Sequence, residues 1–478
     1  MAKRGLVLAA GYATSLTGSI LSLAMYARVL GPTDYGRLAV YLALVEAIQG
    51  VLFQWHRLAV VRFWARTGQH DRDAYLATYH RTWLAIAGVA VIAGGLFVAV
   101  HAEPKAEWSA MMVMALTKSA ALYAQELARV AGSTLRYTAG QLLLSAGSGV
   151  AGVIAYLHTQ SIALTLLAAA AVFLAATLTS GWPTMRPVGT VSPRRTDLRT
   201  DLRDMIGYGL PLIPVFVATT ALTRLDRPIL AHFEPSNVVG TYAAASAFVL
   251  NAVSAFCLVI VTPVYPWLLR EKERLGETAY RDLHARTGTL MLSALLAACI
   301  ALYGARHVAL QLLLGPQIAP AAEPYLLPLL LIAIIGAYKT HFFDQAYHLF
   351  SQTRVLMALN VVTLLIAGSA IYVGCRLDGV HGLLVALIVA NGASMALSAA
   401  FACRFTAWRH IARQGACLVL ISALSIFLGA KAVLLVPATA LGPVTAGLLA
   451  AVTGTLAFAA CALASKLVDL RPFTSRRS

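Results

Sequence analysis

The chain has 478 residues, of which 59% are hydrophobic and only 12% are charged, and its mean hydropathy is +0.74. No soluble domain has so apolar a composition, so we predict a polytopic α-helical membrane protein. Lys and Arg number 37 against 20 Asp and Glu. Such a basic balance would suit nucleic acid or anionic lipid, and the position of the charges along the chain decides between the two.

Apolar stretches long enough to cross a hydrocarbon core of about 30 Å recur along the whole chain. We predict fourteen of them, joined by connections that are too short to hold a further domain. The predicted spans are 6–27, 38–56, 82–100, 108–128, 138–157, 161–182, 207–231, 238–263, 287–305, 325–349, 355–374, 381–403, 415–435 and 442–465.

The basic residues are distributed unequally between the two sides of these spans. If the N-terminus is cytoplasmic, 27 of the 37 Lys and Arg fall on the inner side, six on the outer side and four within spans. This asymmetry obeys the positive-inside rule and predicts cytoplasmic N- and C-termini. The high positive charge therefore reflects topology and contact with anionic inner-leaflet lipid, and a nucleic-acid partner is excluded.

Two turns on the predicted outer side resemble each other in sequence. They read ARVLGPTDYG at 27–36 and AHFEPSNVVG at 231–240, and each combines Pro with turn-forming and capping residues before a Gly. Six spans separate them, which predicts two six-helix lobes in parallel orientation around a central cavity, with two additional helices. The predicted parts are an N-terminal lobe at 1–182, a cytoplasmic basic linker at 183–204, a C-terminal lobe at 205–403, and two further transmembrane helices with a basic tail at 404–478.

The seventh span is unusual because it carries charges and prolines. Pro211 and Pro214 interrupt its start, and Arg224, Asp226 and Arg227 follow toward its end. A charge at the bilayer centre costs about 2.5–3.5 kcal/mol on insertion scales, so such residues usually face a protein interior or a wet cavity. Arg224 and Arg227 share a helix face and could bind a diphosphate. Alternatively, they could snorkel to the outer interface, with Asp226 as a packing partner.

The second and fourth spans each carry an ionisable residue near mid-membrane. Glu46 is a candidate proton carrier, or it makes an interhelical hydrogen bond. Lys118 requires a counter-charge or a wet lumen. It could contribute to a cationic cavity, or it could pair with Glu46 and hold the lobe together.

The tenth span has a polar face formed by His341, Asp344 and His348, with Lys339 close by. The i, i+3, i+7 spacing would permit a metal site, but three ligands without a known second shell favour no metal. A proton relay or a stripe that contacts substrate is favoured instead. A solvated helix segment remains the structural alternative.

Two segments carry a family resemblance. ARVLGPTDYGRLAVY and YGLPLIPVFVATTALTRLDRPILAHFEPSNVVGTYAAASAF, together with the Gly315-Pro316 turn and the fourteen-span plan, resemble the polysaccharide-repeat (lipid-linked oligosaccharide) flippases. These belong to the multidrug/oligosaccharidyl-lipid/polysaccharide exporter superfamily. The resemblance implies that the chain translocates polyprenyl-diphosphate-linked oligosaccharide repeat units across the bacterial inner membrane by alternating access. It also implies a role in assembling O-antigen, capsule or exopolysaccharide, with a polysaccharide polymerase and chain-length proteins as possible partners.

Under this hypothesis the intramembrane charges fall into two groups. The substrate-binding candidates are Arg224, Arg227, Lys118, Arg28 and Lys339. The ion-coupling candidates are Glu46, Asp226, Asp344 and His341. We expect no cofactor.

Three other functions are weighed against this hypothesis. A multidrug or cation exporter of the same superfamily should have an acid-lined cavity, whereas the charges within these spans are mostly basic. A membrane polysaccharide polymerase or ligase should carry catalytic residues on a large outer loop, and the longest candidate, 306–323, is short. A scaffold has no need of buried charges in several spans. With no Walker A motif either, we predict that the protein is not an enzyme.

Overall fold

The computed structural model describes most of the chain, and regular structure within the described residues is helical throughout. The described residues are 2–64, 72–101, 104–181, 198–209, 213, 216–217, 220, 224–350, 352–436, 442–465 and 467. Pro211, Pro214 and much of the predicted basic linker lie outside them.

The chain divides by its internal packing into two compact units, Met1–Ala243 and Ala244–Ser478. The first unit ends within helix α10, which is Ser236–Arg274. Two helices of this unit continue through π-helical turns, Gln49–Phe53 after α1 and Leu143–Gly147 after α5. The helices of this unit before α10 are α1 (Ala2–Ile48), α2 (Gln54–Trp64), α3 (Arg72–His101), α4 (Lys105–Val130), α5 (Thr134–Leu142), α6 (Ser148–Thr159), α7 (Ile162–Gly181), α8 (Leu198–Gly209) and α9 (Asp226–Phe233).

The second unit continues α10 and adds six helices. A π-helical turn, Lys339–Phe343, directly follows the helix that ends at Tyr338. The helices are α11 (Glu277–Gly304), α12 (Arg306–Tyr338), α13 (Asp344–Leu349), α14 (Thr353–Ala402), α15 (Trp408–Leu434) and α16 (Pro443–Ala464). The four-part division into lobes, linker and appended helices stays a prediction.

Two Gly-Pro pairs bend long helices sharply. Gly31 has φ 67° and ψ 177°, and Gly315 has φ 76° and ψ 172°. Residues with a side chain rarely adopt this backbone region, whereas glycine enters it at little cost. Pro32 and Pro316 come next, and proline suits the first turn of a helix because its missing N–H would have no partner there. Each pair therefore ends one helix and begins another.

Helices of the described residues coincide with every predicted span except the seventh, 207–231, of which only part is described. Ten stretches of the described residues are long and apolar enough to cross a membrane. Two of these, Thr17–Trp64 and Arg354–Ala402, have 48 and 49 residues and contain non-helical residues, so each has room for two spans. Helix α4, with 26 residues, is also long enough. The predicted fold class, an all-α polytopic membrane protein, is confirmed.

The two turns that resemble each other in sequence pack together in the first unit. A Cβ atom on Gly36 would lie 1.9 Å from the carbonyl oxygen of Ser236. A Cβ atom on Gly240 would likewise lie 1.9 Å from the carbonyl oxygen of Pro32. Each glycine thus faces the carbonyl four residues before the other glycine, so the contact is reciprocal. The sequence similarity has a structural counterpart, because both turns supply a small residue that lets two backbones approach.

This contact predicts that Gly240→Val destabilises the protein. A side chain at this position must displace backbone rather than a flexible neighbour, and overpacking of this kind costs about 1–3 kcal/mol or more. The melting temperature of the purified protein in detergent should fall clearly. Gly95→Val on α3 is the control, because nothing lies within 4 Å of a Cβ atom there. Equal melting temperatures for the two variants would contradict the close contact.

Candidate functional site

Three ion pairs join two neighbouring spans of the first unit. One span is the part of α1 and α2 after Gly31, and the other is α4. The pairs are Arg37 with Glu107, Glu46 with Lys118, and Arg57 with Glu126, the last at 2.9 Å. Because the partner numbers rise together, the two spans run in the same direction. We call the three pairs the first, middle and third rungs.

The rungs also fix the register of the two spans. Arg37 and Arg57 are 20 residues apart, whereas their partners Glu107 and Glu126 are 19 residues apart. The π-helical turn Gln49–Phe53 lies between the middle and third rungs on the longer side. Such a turn holds about one residue more than an α-helical turn. It lies in the interval where the second span is longer, since Glu46 and Arg57 are 11 residues apart and Lys118 and Glu126 are 8 residues apart.

The first and third rungs belong to larger polar networks. Arg37 also contacts Asp34 at 3.4 Å, and Asp34 accepts a hydrogen bond from the Tyr156 hydroxyl. At the third rung, Glu126 accepts hydrogen bonds from Arg57 at 2.9 Å and from Arg129 at 2.7 Å. Asp34 and Glu126 therefore each accept from two donors, whereas Glu107 Oε2 and Arg57 Nε are buried without a hydrogen-bond partner.

The middle rung differs, because three cations surround a single carboxylate. Lys118 contacts Glu46 directly, and Arg224 and Arg227 act electrostatically on the same carboxylate. The side chain of Glu46 is 33% exposed and that of Lys118 is 18% exposed, so the protein encloses neither completely. We call Lys118, Arg224 and Arg227 the cation group.

Arg227 is the most constrained member of the cation group. Its side chain is only 7% exposed, and its Nε has no hydrogen-bond partner. Within the described part of the chain it forms no ion pair. The adjacent Asp226 accepts a hydrogen bond from the Tyr242 hydroxyl through Oδ2 at 2.6 Å, and its Oδ1 is buried without a hydrogen-bond partner. A buried guanidinium with an N–H that has no acceptor is costly, and an anionic ligand would relieve that cost.

The seventh span approaches the second span closely at the π-helical turn. A Cβ atom on Gly50 would lie 2.5 Å from the Thr220 hydroxyl oxygen. Because Gly50 has no side chain, Thr220 of the seventh span can lie close to it. Thr220 comes about one helical turn before Arg224. Gly50 therefore provides the space for this approach. Arg224 and Arg227 follow on the approaching span and act electrostatically on Glu46. These predicted residues lie together, although their roles stay predictions.

Lys339 and Asp344 form a separate pair in the second unit. Lys339 Nζ donates to Asp344 Oδ2 at 2.7 Å and to the Asn360 side-chain oxygen at 3.4 Å. The other Asp344 oxygen accepts a hydrogen bond from the Ser398 hydroxyl at 2.8 Å. The two side chains are only 9% and 10% exposed. Lys339, a predicted substrate contact, and Asp344, a predicted ion-coupling residue, therefore form one buried ion pair with each other.

The remaining predicted residues lie elsewhere. His341 is half-buried on the π-helical turn Lys339–Phe343, and His348, which shares its predicted face, is exposed. Among the described residues, no group of three or more His, Cys, Asp or Glu side chains could hold a metal ion. Arg28 is exposed near the end of the first span, three residues before Gly31.

Two of the three rungs were not predicted from the sequence. The signal that could have revealed them is the charge order, which is Arg, Glu, Arg on one span and Glu, Lys, Glu on the other. These charges occur at residues 37, 46 and 57 and at residues 107, 118 and 126. Two spans that are predicted to run in the same direction and that carry opposite charges in the same order can form an ion pair at each position.

The second unit also contains a cavity of about 560 Å³ between α12 and the last two helices. Its walls are mostly apolar, and one corner is polar. There Glu323 accepts from Arg306 at 3.0 Å and contacts His307 Nδ1 at 3.0 Å. Because this carboxylate is already paired, the corner has no strong excess of charge.

Comparison with known proteins identifies the family. A family model described as polysaccharide biosynthesis protein matches residues 2–271, more than half of the chain. The chain belongs to this family. A comparison with curated protein sequences found no match.

Two solved structures share the fold. The lipid II flippase MurJ in an inward closed conformation is 11% identical, with a TM-score of 0.69 over 97% of this chain and 100% of that chain. An inward-facing multidrug resistance transporter of the MATE family, in the MOP superfamily, is 12% identical. It has a TM-score of 0.53 over 81% of this chain and 93% of that chain. The protein is thus a multi-pass membrane protein with the fold of flippases and exporters, and it belongs to a polysaccharide biosynthesis family.

The satisfied pair in the second unit predicts a characteristic pattern of stability. Lys339→Met or Asp344→Leu alone should lower the free energy of unfolding by about 3–5 kcal/mol, because each leaves a buried charge without its partner. The double variant should recover most of this loss, since apolar residues can replace a buried pair at little cost. Thermal unfolding of the purified variants measures these effects.

The matched control is the exposed pair of Arg281 and Glu277 in the same unit, whose side chains are 40% and 70% exposed. Breaking it should change stability by no more than about 1 kcal/mol. A double variant of Lys339 and Asp344 as unstable as the two single variants would show that the pair is not an isolated structural element.

Proposed function

We propose that the protein flips polyprenyl-diphosphate-linked oligosaccharide repeat units across the bacterial inner membrane by alternating access. Its membership of a polysaccharide biosynthesis family supports the pathway, and a fold shared with a lipid II flippase supports the type of transport. The observation that carries the proposal is the cation group. Its three cations outnumber the nearby carboxylates of Glu46 and Asp226, and a diphosphate could neutralise the excess.

The chemistry of the cation group suits a diphosphate. Guanidinium groups present paired N–H donors that match phosphate oxygens, and the Lys118 ammonium adds a compact charge. Arg224 and Arg227 are three residues apart, on either side of the turn residue Leu225 that precedes α9, and both act on Glu46, so two forks are available to one diphosphate. The polyprenyl tail is too apolar to leave the lipid, so only the headgroup would need a polar path. Arg28 and Lys339 remain further candidate contacts.

The alternative is export of a drug or small cation, which the MATE-like fold allows. A cationic cargo requires a surplus of carboxylates at its site. Here three cations face Glu46, and the nearby Asp226 is held by Tyr242. The sign of the charge therefore favours an anionic cargo. A membrane enzyme is disfavoured because the group supplies positive charge without a nucleophile beside it.

The same proposal includes the location and the partners. The termini would be cytoplasmic, as the distribution of basic residues predicts. The flipped units would supply a polysaccharide polymerase and chain-length proteins that assemble O-antigen, capsule or exopolysaccharide. Transport would be driven by proton or sodium exchange or by the membrane potential, with Glu46, Asp226, Asp344 and His341 as the ion-coupling candidates.

Arg224→Ala and Arg227→Ala test the proposal. Each removes a charged hydrogen-bond donor, so each should slow flipping by about 10- to 100-fold. The assay uses proteoliposomes and a fluorescent polyprenyl-diphosphate disaccharide, whose outward-facing fraction is destroyed by a membrane-impermeant reductant. Arg274→Ala is the control, because that side chain is 50% exposed and lies 3.5 Å from Glu271.

Unchanged flipping in both variants, with normal amounts of folded protein, would remove these arginines from the mechanism. Wild-type proteoliposomes that leave the disaccharide in place but expel a cationic dye such as ethidium would instead support the exporter alternative.

A further inference from the structure

The carboxylate of Glu46 occupies an unusual position within the cation group. It contacts Lys118 and receives the field of Arg224 and Arg227. These are the charged groups of the described residues that act on Glu46, and they come from α4 and the seventh span. The phosphate oxygens of a bound substrate would seek the same three cations. Glu46 therefore stands where the substrate's own anion would be expected.

The charges of this region can be counted. Lys118, Arg224 and Arg227 contribute three positive charges, and Glu46 and Asp226 contribute two negative charges, so the empty region has a net charge of +1. A diphosphate esterified at both ends carries about two negative charges near neutral pH. Its arrival would leave a net charge of −1 at membrane depth. Uptake of a single proton would restore neutrality.

We propose that Glu46 is an internal counter-anion that the substrate diphosphate displaces from Lys118, and that the displaced carboxyl group takes up one proton. This inference rests on the proposed function. The Lys118 ammonium transfers its hydrogen bond from the carboxylate oxygen to a phosphate oxygen, and the proton from water becomes bound to the Glu46 carboxylate. No covalent bond of the substrate changes.

Two anions that share one lysine at this depth repel each other strongly, so only one of them stays ionised. Asp226 forms no ion pair with Lys118 among the described residues, so displacement from that lysine affects Glu46 and leaves the hydrogen bond from Tyr242 to Asp226 in place. The Glu46 side chain is 33% exposed, so the protein does not enclose it completely. The membrane interior also favours the neutral form of a carboxyl group that has lost its cations.

A buried amide provides a second, independent observation. Gln49 lies three residues after Glu46 on the same helix face, and its side chain is buried. Its Nε2 has no hydrogen-bond partner. The Gln49 amide is thus an unused donor within one turn of Glu46. It can donate to the carbonyl oxygen of the displaced, protonated carboxyl group.

Calorimetric titration of the full-length protein in nanodiscs tests the inference. The probe is citronellyl-diphosphate-linked N-acetylglucosamine, titrated in buffers of different ionisation enthalpy. Wild type should take up about one proton per bound probe, and its affinity should fall about tenfold per unit rise in pH above neutrality. Glu46→Gln should bind the probe with no proton uptake and with little dependence on pH. Glu277→Gln, at an exposed position, should behave as wild type.

The outcomes separate this inference from the proposed function. Failure of wild type to bind the probe would overturn diphosphate recognition itself. Binding by wild type without proton uptake would overturn only the role of Glu46, whether or not Glu46→Gln folds. Proton uptake that persists in a folded Glu46→Gln protein would assign the proton to another group. Binding that requires sodium and releases no buffer heat would replace the proton by a metal cation.

Discussion

The ion pairs between the second and fourth spans determine how the rest of the first unit can be built. Three rungs hold two helices of the same direction in one register, and the π-helical turn Gln49–Phe53 lies between the middle and third rungs. A slip by one turn would separate every charge from its partner at once. In a membrane, where unpaired charges are costly, such a ladder specifies the packing more strictly than apolar contacts alone.

The rungs are not equivalent, and their difference locates the candidate site. The third rung also has a cation in excess, since Arg57 and Arg129 share Glu126, but it lies near the end of its span. The middle rung has three cations acting on Glu46 near the predicted middle of the membrane, where unbalanced charge is most costly. The proposed diphosphate would neutralise this excess.

Much of the fold could be predicted from the sequence, because hydropathy and basic-residue asymmetry report directly on spans. The similarity of the turns at 27–36 and 231–240 also had a physical basis, the reciprocal approach of Gly36 and Gly240. Side-chain pairing was harder to predict. Glu107 and Glu126 looked ordinary because they lie near span ends, where water makes a charge inexpensive, and hydropathy does not show which helix faces them.

A comparison of the two lysine pairs gives the strongest argument for where substrate acts. Each pair lies beside a π-helical turn, a local distortion that often occurs at functional sites. Lys339 donates hydrogen bonds to Asp344 and Asn360, and Ser398 donates one to the other oxygen of Asp344. Lys118 shares one carboxylate with two arginines, and its Nζ lies 5.8 Å from the centroid of the Phe173 ring. A headgroup that bound Lys339 would have to break these hydrogen bonds. At Lys118 it would instead bring negative charge to a group that has more cations than carboxylates.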